Sequence, residues 1–350
     1  MPDAAGGVRV PHPPRPFDRP DRPAARLCRT QQLHPRVPPL ERHLAPRLAG
    51  TAEPDRALKP QDKSLSKADP MTRLLLLEGN TADKRARGRE LGVRSSSEIY
   101  AQAIAAHFPR IELDVLNGAD EGEAIPHDRS WADYDGFVVT GSSLHAYDRE
   151  FAVTNQIALV AQAAEHGLPI FGSCWGLQIA VMAAGGEVAY NPRGREVGFA
   201  RKIALNDAGR AHPMFGAKQH VFDAPCIHYD EVVRMPDGAT LLASNGHSLV
   251  QAAVIPLGQS EVWAVQYHPE FDLAQLVQLY TLYAADMIAQ GFFSNEAELV
   301  AYRDKIARLA QDPTDAGLAW QLGIDADVLD PRQRAAEIIA WIESRVLNGT

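Results

Sequence analysis

Leu168-Pro169-Ile170-Phe171-Gly172-Ser173-Cys174-Trp175-Gly176-Leu177-Gln178 is the stretch on which the reading of this chain turns. Residues 168–171 form a short apolar run of the kind that makes a buried strand. Residues 175–184 carry an apolar helical pattern. Between them lies Gly-x-Cys-x-Gly, the thiol form of the elbow that places a nucleophile on a sharp strand-to-helix turn. Gly172 and Gly176 would keep side chains out of that turn. Cys174 would then sit at a helix N-terminus, where the partial positive charge of the helix favours a thiolate.

Outward from this point, short apolar runs alternate with amphipathic stretches. Residues 74–77, 111–116 and 136–140 read as strands. Residues 96–108, with Ile99, Ile104 and Phe108, read as a helix that Pro109 ends, and 151–166 as another. This alternation predicts an α/β fold, a doubly wound, mostly parallel sheet flanked by helices. From 189 to 266 the pattern turns β-rich, as in 240–243, 250–255 and 262–265, and 273–290 is helical again.

A second signal lies at the end of the run 262–267, in Tyr267-His268-Pro269-Glu270. Residues two apart on a strand project to one side, so His268 and Glu270 face the same way. The carboxylate would hold the imidazole in one tautomer and stabilise its charged form. Taken singly, each pattern also fits a plain structural role, a buried cysteine between glycines or a surface turn. Together they place a nucleophile, a base and an orienting acid at the carboxyl ends of parallel strands, where such sheets hold their sites.

These motifs resemble those of the class I glutamine amidotransferases. Residues 172–178 resemble that family's G-x-C-x-G-x-Q signature, and 265–270 its closing His-Pro-Glu motif, 94 residues beyond Cys174. The likeness spans roughly 74–290. It implies a flavodoxin-like fold with a catalytic triad of Cys174, His268 and Glu270. Thr140-Gly141-Ser142-Ser143 resembles the family's oxyanion loop, with Ser142 and Ser143 in place of its Gly-Pro. The resemblance then assigns the backbone N–H groups of Ser142 and Trp175 to the oxyanion. It assigns Gln178, and in the segment 228–232 His228 and Asp230, to the substrate pocket. The implied reaction is acyl transfer from glutamine or a γ-glutamyl small molecule through a thioester on Cys174, with no metal or organic cofactor.

The acceptor is left open. No GxxxxGK[ST] phosphate loop and no SGGxDS-like loop of an ATP pyrophosphatase occurs in the sequence. A stand-alone hydrolase resembling the gamma-glutamyl peptidases is favoured over a glutaminase subunit that serves a separate synthetase partner. A non-catalytic binding or regulatory protein of the same fold is the third reading.

Residues 1–70 differ in kind from the rest. They hold 14 of the 25 prolines and 13 Lys and Arg against 8 Asp and Glu. Such a composition without apolar periodicity predicts a disordered tail, and Met71 is a candidate true start. The whole chain is acidic, with a formal charge of −9, which disfavours nucleic acid as a partner. No run of 18 apolar residues suggests a membrane span. The three cysteines, Cys28, Cys174 and Cys226, form no CxxC pair, and a cytoplasmic location is expected. Residues 291–350 read as a helical extension. Its last helix, 332–346, shows Ala335, Ile338, Ile339, Trp341 and Ile342 on one broad face that would cover the sheet edge, a dimer partner or a synthetase.

Overall fold

The computed structural model describes residues 71–348; the expectation of a disordered tail over 1–70 lies outside them. Among the described residues eleven strands are formed: β1 (Arg73–Leu77), β2 (Glu112–Leu116), β3 (Gly136–Val139), β4 (Ile170–Ser173), β5 (Glu187–Tyr190), β6 (Glu196–Leu205), β7 (Val221–His228), β8 (Asp230–Arg234), β9 (Thr240–Ser244), β10 (Ala252–Leu257) and β11 (Ser260–Val265). Nine of them make one sheet, in the order β2-β1-β3-β4-β11-β10-β9-β6-β7, and β5 pairs with β8 apart from it. The neighbours from β2 to β11 are parallel, and those from β11 to β7 are antiparallel. The sheet is therefore mixed, with its parallel half on the side that carries the two motifs.

The strict alternation of side chains along a strand divides the core into two layers. Leu74 and Leu76 of β1, Val138 of β3 and Trp263 and Val265 of β11 face one side. Leu75 and Leu77, Phe137 and Val139, and Val262 and Ala264 face the other. Because both faces are covered, these strands read as unbroken apolar runs. The helices in chain order are α1 (Ala82–Glu90), α2 (Ser96–His107), α3 (Phe151–Glu165), α4 (Trp175–Ala183), α5 (Asp207–Ala211), α6 (Leu273–Leu282), α7 (Ala284–Ala289), α8 (Glu296–Gln311), α9 (Ala316–Leu322), α10 (Ala326–Leu329), α11 (Pro331–Arg334) and α12 (Ala336–Trp341). Val153 and Val160 of α3 and Leu177 and Ile179 of α4 cover the second face.

The first face is covered by Tyr100 and Ile104 of α2 and by the chain's last helical residues, Ile338, Trp341, Ile342 and Val346. The Trp341 ring lies 5.8 Å from that of Phe171 on β4. A Cβ on Gly136 would come within 2.9 Å of it, so the absence of a side chain on β3 makes room for the indole. The apolar stripe of the last helix is thus spent on the sheet's face rather than on its edge. A buried polar cluster fixes it there: Glu337 accepts a hydrogen bond from Tyr267 (2.6 Å) and lies 3.4 Å from the Lys218 ammonium. Helices α6 to α10 pack among themselves in a third apolar cluster that includes Leu276, Leu299, Ile306, Leu309 and Leu318.

Candidate active site

All five parallel strands end at one edge of the sheet, and the loops leaving β1, β3, β4 and β11 converge there. Cys174 follows β4 directly and is the N-cap of α4, with φ 52° and ψ −97°. A side chain is strained in that region of backbone space, so the surroundings must hold it. The Cys174 amide donates to Val265 O (2.8 Å), and its carbonyl accepts from the Gln178 amide (3.1 Å). The flanking glycines are sterically required. A Cβ on Gly172 would lie 2.7 Å from the backbone of Gly176, and one on Gly176 would lie 2.7 Å from Val139 O.

His268 follows β11. Its amide donates to Pro225 O (2.8 Å), and its ring stacks on Phe271 with centroids 3.9 Å apart. Nδ1 meets Glu270 Oε1 at 2.6 Å, which leaves Nε2 for the thiol side. Nε2 is buried without a hydrogen-bond partner, because the Cys174 thiol donates to Ile227 O at 3.6 Å. Burial alone would lower the His268 pKa. The Glu270 charge, the adjoining Cys174 thiol and the Glu270 hydrogen bond outweigh burial, and the imidazole is pushed up to about 10. The surroundings therefore favour the charged form of the ring.

Behind the acid stands a buried relay. Ser173 Oγ donates to Glu270 Oε1 (3.1 Å) and accepts from Tyr100 Oη (2.7 Å). Burial, then the nearby Glu270 charge, raises the Tyr100 pKa well above its ordinary value, so the phenol stays a donor. Tyr100 comes from α2, whose start is set by a Ser95–Glu98 capping box and by the buried Glu78 carboxylate, which accepts from the Ser97 amide (2.7 Å).

The loop after β3 closes the other side. A Cβ on Gly141 would lie 2.7 Å from His268 Cε1, so the glycine lets the backbone touch the imidazole. Ser142 Oγ donates to Gly79 O (2.8 Å) and accepts from the Leu144 amide (3.2 Å), while the Ser143 amide donates to Asn80 Oδ1 (3.0 Å). These two hydroxyl residues tie the loop to the β1–α1 connection, the service a Gly-Pro turn would provide by stiffness. Trp175 opens α4, and N–H groups in a helix's first turn have no intrahelical acceptor. Its indole donates to Gln156 Oε1 (3.0 Å), which holds the start of the helix.

Cys174, His268, Ser142 and Gln178 line a cleft of about 560 Å³. Gln178 Nε2 donates to Asp230 O (3.2 Å). The Asp230 carboxylate is held by His145 Nδ1 (2.7 Å) and Tyr147 Oη (3.2 Å), and this hydrogen bond raises the His145 pKa. His228 borders the cleft, but both of its nitrogens are engaged, Nδ1 with Asp230 O (3.0 Å) and Nε2 with Glu196 (2.9 Å). Its ring braces the 228–230 segment from inside the protein. Cys226 is fully buried, and burial raises its pKa well above the ordinary thiol value. Among the described residues no group of three His, Cys, Asp or Glu is arranged to hold a metal, and no helix is long and apolar enough to cross a membrane.

A sequence model of the family described as glutamine amidotransferase class-I matches residues 101–279. The chain belongs to the class I glutamine amidotransferase family. It is 30% identical to the gamma-glutamyl-L-1-hydroxyisopropylamide hydrolase of a Pseudomonas species over 280 residues, 79% of this chain and 93% of that protein. It is 28% identical to gamma-glutamyl peptidase 5 of Arabidopsis thaliana over 161 residues, 45% of this chain and 62% of the peptidase. In fold it is similar to a glutamine amidotransferase from Methylobacillus flagellatus, with a TM-score of 0.54 at 18% identity over 79% of this chain and 95% of that one.

Class I amidotransferase motifs locate Cys174, Gln178, His268 and Glu270, and the fold brings them to one edge. Four cleft or relay residues are fixed by no motif: Tyr100, His145 and Arg195 stand outside any, and Ser173 fills a variable position of the elbow. Of these, His145 carries the best signal, a polar aromatic pair with Tyr147 just past the loop at 140–143.

Proposed function

We propose that this chain hydrolyses the side-chain amide of γ-glutamyl compounds, acting alone, through a γ-glutamyl thioester on Cys174. The observation that carries this reading is Cys174 at the N-cap of α4 facing, in one cleft lined also by Ser142, the His268 that Glu270 holds. His268 holds the proton taken from Cys174. The sulfur attacks the γ-carbonyl carbon, and the C=O electron pair moves onto oxygen, where the Ser142 and Trp175 amides receive it. Each such donor lowers the barrier by about 2.7–4 kcal/mol. As the tetrahedral intermediate collapses, the C–N bond breaks and His268 Nε2 gives its proton to the departing amine. Water then attacks the thioester carbon, losing a proton to His268, the C–S bond breaks, and glutamate leaves with Cys174 restored beside the protonated ring. Glu270 stays ionised throughout and keeps the ring in register.

Independent action is supported by the near full-length match to a protein named as a hydrolase of a γ-glutamyl amide. The test is glutamate release from free glutamine and from a panel of γ-glutamyl amides by the purified full chain, with Cys174→Ala as control. Release that vanishes in the variant is the expected result. A Cys174→Ala protein of normal activity would sink the reading. Release only after a synthetase is added would transfer the chain to the glutaminase-subunit class.

A further inference from the structure

Arg195, in the turn just before β6, is a buried cation that feels the charge of Asp286 but makes no ion pair among the described residues. It is 7% exposed, and among the described residues no carboxylate lies within ion-pair distance of its guanidinium. Nε and Nη1 are buried and make no hydrogen bond. The guanidinium carbon lies instead over two aromatic rings, 3.9 Å from the centroid of Tyr229 and 4.9 Å from that of Tyr283. Tyr190 stacks on the outer side of Tyr229 (6.1 Å), and Gln290 pins the Tyr229 hydroxyl (2.6 Å).

Burying a charge is costly unless it is paired. Contacts with two rings return only part of that cost. They leave its N–H groups unpaired, and an arginine with unpaired N–H groups at a cleft is suited to a carboxylate.

The position is equally specific. Arg195 lines the same cleft as Cys174. Register pairs its neighbour Glu196 with His228, which sets Arg195 against Tyr229. Tyr229 lies two residues beyond Ile227, whose carbonyl receives the Cys174 thiol. A γ-glutamyl group attached to Cys174 bears its α-carboxylate at the far end of a short aliphatic chain pointing into this cleft.

We infer that Arg195, set over Tyr229 and Tyr283, is the receptor for the substrate's α-carboxylate and selects γ-glutamyl over other acyl amides. The assignment rests on the hydrolytic reading for the identity of the ligand. Its test is therefore made on binding, apart from turnover.

The full chain carrying Cys174→Ala is titrated calorimetrically with L-glutamine and with 4-aminobutanamide, which is glutamine without the carboxylate. Glutamine should bind tighter by about 30-fold or more, the loss expected when one partner of a buried charge pair is removed. Adding Arg195→Ala should erase that margin by weakening glutamine alone. Arg195→Lys, which keeps charge and stem but lacks the fork, should weaken glutamine in the same selective way and serves if the alanine variant does not fold. Equal weakening of both ligands, which a purely structural arginine would give, overturns the inference. So does an unchanged margin, or no binding of glutamine by the folded parent. If this pattern holds while the Cys174 protein hydrolyses nothing, the hydrolytic reading falls and Arg195 keeps its role. If hydrolysis is robust and the margin ignores Arg195, the reverse follows.

Discussion

Replacing Glu270 by glutamine should move the alkaline limb of activity by about three pH units, because it removes a charge and almost nothing else. Oε1 receives two donors, His268 Nδ1 at 2.6 Å and Ser173 Oγ at 3.1 Å, and an amide oxygen can accept both. Oε2 is buried with no partner, so the new NH2 displaces no existing bond. With charge centres about 4 Å apart and an effective dielectric constant of about 20, the lost attraction is about 4 kcal/mol, or about three pH units. His268, pushed up to about 10 in the native site, would fall back toward its ordinary range. The imidazolium that protonates the leaving amine would then be partly lost at neutral pH, and kcat should drop by about 10² to 10⁴. The assay is kcat and kcat/KM from pH 5 to 10.5 on a γ-glutamyl amide, with circular dichroism to verify the fold. An alkaline limb that stays put in the variant, with kcat within a few-fold, would refute the electrostatic argument.

The same shift makes stability depend on pH. His268 in the fold has a pKa above its ordinary 6.5, so its contribution is complete below about 6.5 and is lost as pH rises through about 10; denaturant melts at pH 6 and pH 10 should differ accordingly, and less so in Glu270→Gln. Ser173→Ala removes a hydrogen bond to a charged acceptor and strands the Tyr100 phenol, so stability should fall by about 1.5–3 kcal/mol and kcat with it. Tyr100→Phe should cost less, since Ser173 keeps its bond to Glu270; urea titrations and kcat check both. Gly141→Ala drives a methyl into His268 Cε1 and should lower kcat by about 10², with KM little changed in steady-state assays. Trp341→Ala empties space over Phe171 and should destabilise the protein by about 3–5 kcal/mol, seen calorimetrically as a Tm loss on the order of 10 °C.

Much of the fold is legible in the sequence because short range and long range agree there. The run at 74–77 is apolar because both faces of β1 are covered, and the elbow at 172–176 announces its own turn. Helix α1 is not legible: Ala82–Glu90 has almost no apolar residue, and it is anchored through Ala82 and Arg85 to Asp120 (2.8 and 2.6 Å), a pairing that only the folded chain creates. The antiparallel half of the sheet is visible as β-rich sequence, but its strand order depends on remote pairing. β6 meets β7 with a register shift between Ala200 and Ile203, near the positive φ of Lys202.

The site divides in the same way. Cys174 stands in one short motif and His268 with Glu270 in another, so sequence alone could name them. Tyr100 reaches Ser173 across 73 residues, and Arg195 meets Tyr229 and Tyr283 only after three elements have packed. The segment at 228–230 could be placed near the pocket, but which way the His228 ring turns depends on Glu196, an acid with no motif of its own.

The central claim, acyl transfer through Cys174, is tested most directly by trapping the intermediate. The full chain is mixed with a γ-glutamyl amide, quenched in acid within the first turnovers, digested, and examined by mass spectrometry for the Cys174 peptide. The account predicts a peptide heavier by one γ-glutamyl group, removable by hydroxylamine and absent from Cys174→Ala. Steady release of glutamate with Cys174 unmodified at every quench time, and undiminished in Cys174→Ala, would contradict it.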